Sequence, residues 1–339
     1  MDKAHERRFE FLGLAILLTV WGGTGHLTDR SGWVDALYGP DFTIRHAPEG
    51  GVVAEAGLQV GDTVVAVEGV PVGELGMYSR WPRSLSRRPG ETLRVTARRG
   101  GQSVTGTVVV RQRPPSIWVG RWVLLLFTQT FLWLGVWVLF TTPTLHAGRL
   151  ALLGIVAGLA TPGPDLGSLN GLRDHLEVAG QVLFLILLVH FLLLFPRAKG
   201  PARRRWIGLM YLPWVVLLVA QAVELATHPR LYHVFGAYLG ILFLGYILAA
   251  GLTVIDTAVT LPANEHARSG MGLMLGGWAV ALFPNLLVVL GWAVPPGWQI
   301  PGSRWFPLFL LAVPVGMALA VRREARDAEA GPAAPATPG

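Results

Sequence analysis

Gly51-Val-Val-Ala-Glu-Ala-Gly57-Leu58-Gln-Val-Gly61-Asp62-Thr-Val-Val-Ala-Val-Glu68-Gly69-Val-Pro71-Val72 carries dense local instruction. Val53–Ala56 predicts a short helix that stops at Gly57, where a residue without Cβ takes the left-handed conformation at no steric cost. Leu58 then turns into a small core. Gly61-Asp62 predicts a turn whose carboxylate holds nearby backbone N–H groups. Val64, Val65 and Val67 predict a strand that reverses at Glu68-Gly69. Downstream, Glu74–Leu85 predicts a helix, kinked or broken by Pro82. Leu93, Val95 and Ala97 alternate inward, Gly100-Gly101 turns the chain, and Val104–Val110 returns as a last strand.

These signals fall within residues 33–113, which contain no apolar run long enough to span a bilayer. The rest of the chain is of another kind. Over the whole sequence 52% of residues are hydrophobic and 14% charged, against about 25% charged in an average soluble domain. Such a composition implies a bilayer. Several of the 13 Trp flank apolar runs (Trp118, Trp206, Trp292, Trp305), where indole favours the headgroup level. The chain has no Cys, which excludes disulfides and thiolate metal sites. The net charge of +7 is no sign of nucleic acid, because many basic residues sit in short loops between apolar runs.

The expected architecture is a polytopic α-helical membrane protein with about eight spans. Residues 1–28 hold a short basic start and the apolar run Phe9–Trp21. A cleavable signal peptide and an uncleaved anchor both fit, and the anchor is the reading adopted. Further spans are expected near Trp118–Phe140, Arg149–Leu169, Leu176–Phe195, Trp206–Ala226, Phe235–Ile255, Gly272–Val294 and Trp305–Val321, making a bundle over residues 116–322. Pro162, Gly163 and Pro164 interrupt the second of these. Pro284 and Pro314 should kink theirs. Residues 323–339, Ala/Pro/Gly-rich after Arg326, should be a disordered tail.

Loop charge sets the orientation. With the N-terminus inside, the inner segments hold Lys3, Arg7, Arg8, Arg149, Arg197, Lys199, Arg203, Arg204, Arg205, Arg268, Arg322, Arg323 and Arg326. The short outer loops hold Arg173, Arg230 and Arg304, with Arg121 at the outer edge of its span. The insert then faces outward and both termini lie in the cytoplasm.

The order of helix, Ala56-Gly57-Leu58, two residues, Gly61-Asp62, strand and Gly turn closely resembles the PDZ domains of bacteria. That resemblance implies a small barrel-like sheet with two helices, lying on the periplasmic side of an inner membrane. It also implies capture of an extended peptide as an added strand. The carboxylate loop would be Tyr38-Gly39-Pro40-Asp41-Phe42 and the pairing strand Phe42–Arg45, so that Gly39, Phe42, Thr43, Ile44 and Arg45 would line the groove. Met77 and Trp81, on the second helix, would be pocket walls. Pro40 removes one N–H and Asp41 adds a negative charge where this family usually offers amides and a neutral side chain. Internal peptides or partner domains become plausible ligands beside free C-termini. Arg80, Arg83, Arg87 and Arg88 cluster near that helix; an acidic peptide or lipid headgroups could use them, and a solvated basic face is the plainer reading.

Within the spans, Glu177, Gln181, Gln221, Glu224 and Asn285 all fall in the outer halves. A pocket open to the periplasm and plain interhelical hydrogen bonding both account for them. Small-xxx-small pairs (Gly154/Gly158, Gly236/Gly240, Gly272/Gly276) predict close helix packing. His190-Phe191-Leu-Leu-Leu-Phe195-Pro196-Arg197 and the closing Leu310–Arg322 are similar to the membrane sensor of competence-type quorum-sensing histidine kinases, which can carry a PDZ-like domain after the first helix. After Arg326 the kinase that such a sensor carries does not follow.

No enzyme is expected. His5-Glu6-Arg-Arg-Phe9 and Glu265-His266 lack the second His of a zinc protease, and no Gly-x-Ser-Gly motif lies inside a span. His146, His175, His190, His228, His233 and His266 are scattered, so neither a metal set nor a cofactor is expected. Two functions remain. One is a sensor or signalling subunit that binds a peptide or protein outside and relays to a separate cytoplasmic output protein. The other is a periplasmic adaptor or scaffold for a membrane protease or envelope complex.

Overall fold

The computed structural model describes residues 3–28, 32–35, 37–38, 42–72, 88–112, 115–142, 144–164, 166, 170–196, 207–227, 232–262, 269–292 and 303–329. The protein is mostly helical with a small antiparallel β-rich insert. Helix α1 (Lys3–Thr28) precedes the insert, which contains β1 (Leu37–Tyr38), β2 (Ile44–His46), α2 (Val52–Glu55), β3 (Thr63–Val67), β4 (Val70–Pro71), β5 (Thr92–Arg99) and β6 (Gln102–Val109). The bundle follows as α3 (Pro115–Thr141), α4 (Leu145–Leu159), α5 (Asn170–Leu194), α6 (Leu212–Thr227), α7 (Tyr232–Thr260), α8 (Met271–Trp292), a 3₁₀ segment (Ser303–Leu311) and α9 (Ala312–Glu329).

The insert has two sheets, β1-β2 and β4-β3-β5-β6. Two bridges join them, Thr43 to Thr63 and Trp33 to Arg111. Strands therefore surround one core, in which Ile44, Val53, Leu58, Val64, Val67, Leu93, Val95, Ala97 and Val108 are buried. The period-2 burial of β5 places Leu93, Val95 and Ala97 inward as expected. Gly57 has φ +78°, and Glu68 and Gly69 have φ +53° and +80°, the two left-handed residues of a tight hairpin. The Asp35 carboxylate accepts the Val52 N–H at 3.1 Å, capping α2 from a distant part of the chain. The helix expected at 74–85 lies outside the described residues.

Among the described residues, four helical segments are long and apolar enough to cross a membrane: Arg8–Thr28, Val119–Thr141, Leu172–Leu194 and Ile241–Thr260. Eight spans were expected, and helices do occupy all eight places. For two of the four remaining passes the reason is local. Helix α4 has 15 residues, about 22 Å at 1.5 Å per residue, because the chain leaves the helix at Thr161-Pro162-Gly163-Pro164. The last pass is split between the 3₁₀ segment, which contains Pro307, and α9, where Pro314 sits in the first turn. Helix α9 also runs on to Glu329, through the first seven residues of the 323–339 stretch expected to be disordered, since Arg, Glu and Ala there are good helix formers.

Helices α3 and α4 touch backbone to backbone. A Cβ on Gly154 would meet Phe131 O at 2.6 Å and Leu132 Cα at 2.8 Å, and one on Gly158 would meet Leu18 of α1. Gly272 and Gly276 face open space instead. The close approach of α8 to α9 runs one residue on, where Gly277 faces Ala312 and Gly316. Gly236/Gly240 lies outside what can be described at side-chain level.

Candidate functional site

The strand expected to pair with a peptide is occupied on both edges. The Ile44 N–H donates to Asp62 O at 2.8 Å, Gly61 N–H donates to Ile44 O at 2.9 Å, and Val64 N–H donates to Phe42 O at 3.1 Å. On the other edge Leu37 and Tyr38 pair with His46 and Ile44. Phe42 has φ +58°, so the extended backbone starts only after it. The expectation took Tyr38–Phe42 as a loop leading into a free strand. The described residues on either side of it pair antiparallel as β1 and β2, so that within this two-stranded sheet the edge left without a partner strand is that of β1. Ile44 is fully buried, Phe42 and Thr43 are half-buried and Arg45 is exposed. Gly39, Met77 and Trp81 lie outside the described residues, as do Pro40 and Asp41.

Beside this hairpin sits the electrostatic centre of the insert. Asp62, 1% exposed, accepts the Gln59 N–H at 2.8 Å and two guanidinium bonds from Arg99, both at 2.7 Å. Arg99 also donates to Gly57 O at 2.8 Å. The Arg99 guanidinium, aided by the Gln59 amide and opposed by burial, holds the Asp62 carboxyl below its usual value. The turn role of Asp62 is readable in Gly61-Asp62. Its partner lies 37 residues away, beyond any local signal.

A second polar assembly fills the break between α4 and α5. Glu177 is buried and accepts the Gly163 N–H at 2.7 Å. Arg173 forms a fork onto Asp174, donates to Pro164 O at 2.9 Å and stands 3.5 Å from Glu177. Gln181 donates to Ala160 O at 3.4 Å, and Trp21 of α1 donates to Thr161 O at 3.3 Å. Buried Gln221 of α6 reaches His175 O at 3.3 Å. Glu177, Arg173, Gln181 and Trp21 serve backbone groups released where α4 stops, which is the use lipid demands, whereas Gln221 reaches a carbonyl inside α5. The side chains of Glu224 and Asn285 lie outside the described residues.

Further backbone bonds lie at the ends of the insert and of the helices that flank it. Trp33 and Arg111 exchange both backbone bonds, at 2.7 and 3.0 Å. His26, buried at the end of α1, has Nδ1 2.9 Å from Gly22 O and Nε2 3.0 Å from Arg121 O of α3. At the opposite end of the bundle the expected His-Phe-Pro segment packs inward. His190 Nδ1 lies 2.7 Å from the Tyr211 hydroxyl, and Phe191 stacks on Phe195 with His146 edge-on against it. Among the described residues no group of three His, Cys, Asp or Glu is arranged to hold a metal ion.

No protein-family model, no curated protein and no solved structure matches this chain.

Proposed function

We propose that residues 33–113 form a PDZ-type domain on the periplasmic face of a bacterial inner membrane, within a non-catalytic sensor or signalling subunit. The domain takes a peptide or protein segment as an added strand beside Leu37–Tyr38. The helical passes complete a bundle of eight crossings, and both termini are cytoplasmic. A separate cytoplasmic protein reads the output.

The observation that carries this reading is the clasp at the base of the insert. Trp33 lies four residues before β1 and is tied to Arg111, and the chain then enters α1 and α3, which are themselves clasped through His26 and Arg121 O. A ligand that shifts β1 therefore pulls on two helices at once. Helix α4 and the Glu177 turn sit against the same pair through Gly25, whose Cβ would meet Gly163 O at 2.6 Å.

The absence of Cys makes the test clean, because one introduced cysteine carries a unique photocrosslinker. Full-length protein labelled at position 38 is expected to capture an exported peptide or partner, whereas labelling at Val70 on β4 captures nothing. Capture from position 70 alone would overturn the assigned edge. Replacing residues 197–205 by a neutral linker is expected to abolish the downstream response while capture persists. An unchanged response would favour the periplasmic adaptor.

A further inference from the structure

A cleft of about 360 Å³ opens between the start of α8 and the second half of α9, lined by Leu273, Leu319, Arg322, Arg323, Arg326 and Asp327. We infer that it binds an anionic phospholipid, with the phosphate held by the arginines and the first part of an acyl chain lying over the two leucines. The inference rests on the bundle being membrane-embedded and is independent of what the insert binds.

Positions 319, 322, 323 and 326 are three and four residues apart, so they share one face of α9. Three cations face one carboxylate there, and among the described residues Arg322, Arg323 and Arg326 form no ion pair. Arg322 is already oriented. Its guanidinium lies over the Trp137 ring, 4.3 Å from the centroid, and its buried Nε has no hydrogen-bond partner. A guanidinium already held flat against a ring loses little freedom on meeting a phosphodiester. The cleft is rigid because its walls meet on backbone. A Cβ on Gly270 would stand 2.7 Å from Ala320 Cα, and one on Gly316 would stand 2.7 Å from Leu273 O.

The apolar floor argues for a lipid rather than free phosphate. Leu273 and Leu319 are about two-fifths exposed, and Val315, one turn further along α9, is 42% exposed. They continue the cleft away from the arginines as an apolar track, which a free anion would not use. The local excess of positive charge disfavours a zwitterionic headgroup, whose own cation would be repelled. A basic pocket between helices at the membrane surface is suited to such acidic headgroups.

The test uses the purified full-length chain in neutral detergent, with phosphatidylglycerol and phosphatidylcholine titrated and bound lipid counted by native mass spectrometry. Phosphatidylglycerol is expected to bind at one site, and the double substitution R323Q/R326Q to weaken it about thirtyfold. R203Q/R204Q removes the same charge from the 197–206 segment and is expected to leave affinity unchanged. L319S, which keeps every charge, is expected to weaken the lipid several-fold. Inorganic phosphate at millimolar concentration should not displace it. Equal weakening by both arginine pairs would reduce the site to diffuse charge and overturn the inference. So would equal binding of phosphatidylcholine, displacement by phosphate, or indifference to L319S. Loss of capture at position 38 would bear on the insert alone.

Discussion

The insert and the bundle turn their apolar residues toward opposite ends. In β5 of the insert alternate residues turn inward, and Leu93, Val95 and Ala97 are buried while Thr92, Arg94 and Arg98 meet water. In α7, by contrast, Ile241, Leu244, Leu248, Leu252, Ile255 and Val259 are all more than half exposed. Water organises the first region by excluding apolar groups. Lipid cannot do that for the second, where close packing and satisfied backbone groups must decide the structure. Ways to break each region differ accordingly.

The largest effect is expected in the bundle, from a change that adds one isopropyl group. Gly154→Val drives a side chain into Phe131 O and Leu132 Cα, and neither backbone can retreat. The α3–α4 contact should weaken by more than about 3 kcal/mol, read as loss of monodisperse protein and of thermal stability. Gly272→Val, with nothing within 4 Å, is the control and should cost less than about 1 kcal/mol. Equal behaviour of the two would mean that the α3–α4 contact is not what holds the bundle.

The insert's weak point is Asp62. Asp62→Ala frees Gln59 N–H and strands the Arg99 fork, at a cost of about 3 kcal/mol, to be seen as faster hydrogen exchange across β3 and β5 with the bundle unchanged. The pH dependence follows from the same bonds. The folded carboxyl titrates below its ordinary value of 3.8. Its contribution is therefore fully present above that value and is lost as pH falls through the folded pKa. Acid should open the insert before the bundle, and Asp62→Asn should flatten that dependence.

How much of this is legible in the sequence follows the same division. Turns in the insert are written within a few residues, so Gly57, Glu68-Gly69 and the Gln59–Asp62 bond are readable. The partnership of Asp62 with Arg99 is not, since it forms only once β3 pairs with β5. Nor is the double pairing of β2, because Phe42 gives no local sign of its left-handed backbone. In the bundle, hydropathy locates the helices and Pro162-Gly163-Pro164 marks the break in α4. That Glu177, Gln181 and Trp21 would be the groups to satisfy that break depends on which helices are neighbours, and hydropathy is silent there. Arg322 over Trp137 is illegible for the same reason.

Glu177 gives the intermediate effect. Glu177→Leu leaves the buried Gly163 N–H without an acceptor and should cost about 2 kcal/mol. Glu177→Gln, which keeps an acceptor oxygen for Gly163 and loses the charge facing Arg173, should cost well under half of that. Thermal unfolding in bilayers separates the two variants. Equal losses would transfer the importance of Glu177 from the backbone it satisfies to its charge.

The smallest effect is expected from truncating an exposed leucine of α7. Leu93→Ala in the insert removes a fully buried side chain and should cost about 3 kcal/mol through transfer and cavity terms together. Leu244→Ala removes the same atoms from a side chain that is 61% exposed. In a bilayer that face already sits in a medium as apolar as leucine, so truncation transfers little and leaves no cavity. The change should stay below about 0.5 kcal/mol. A loss of 2 kcal/mol or more at Leu244 would mean that this face is packed against protein. The outer face of α7 would then be an interface between chains rather than a boundary with lipid, and the contrast between the two regions would hold only for a single copy.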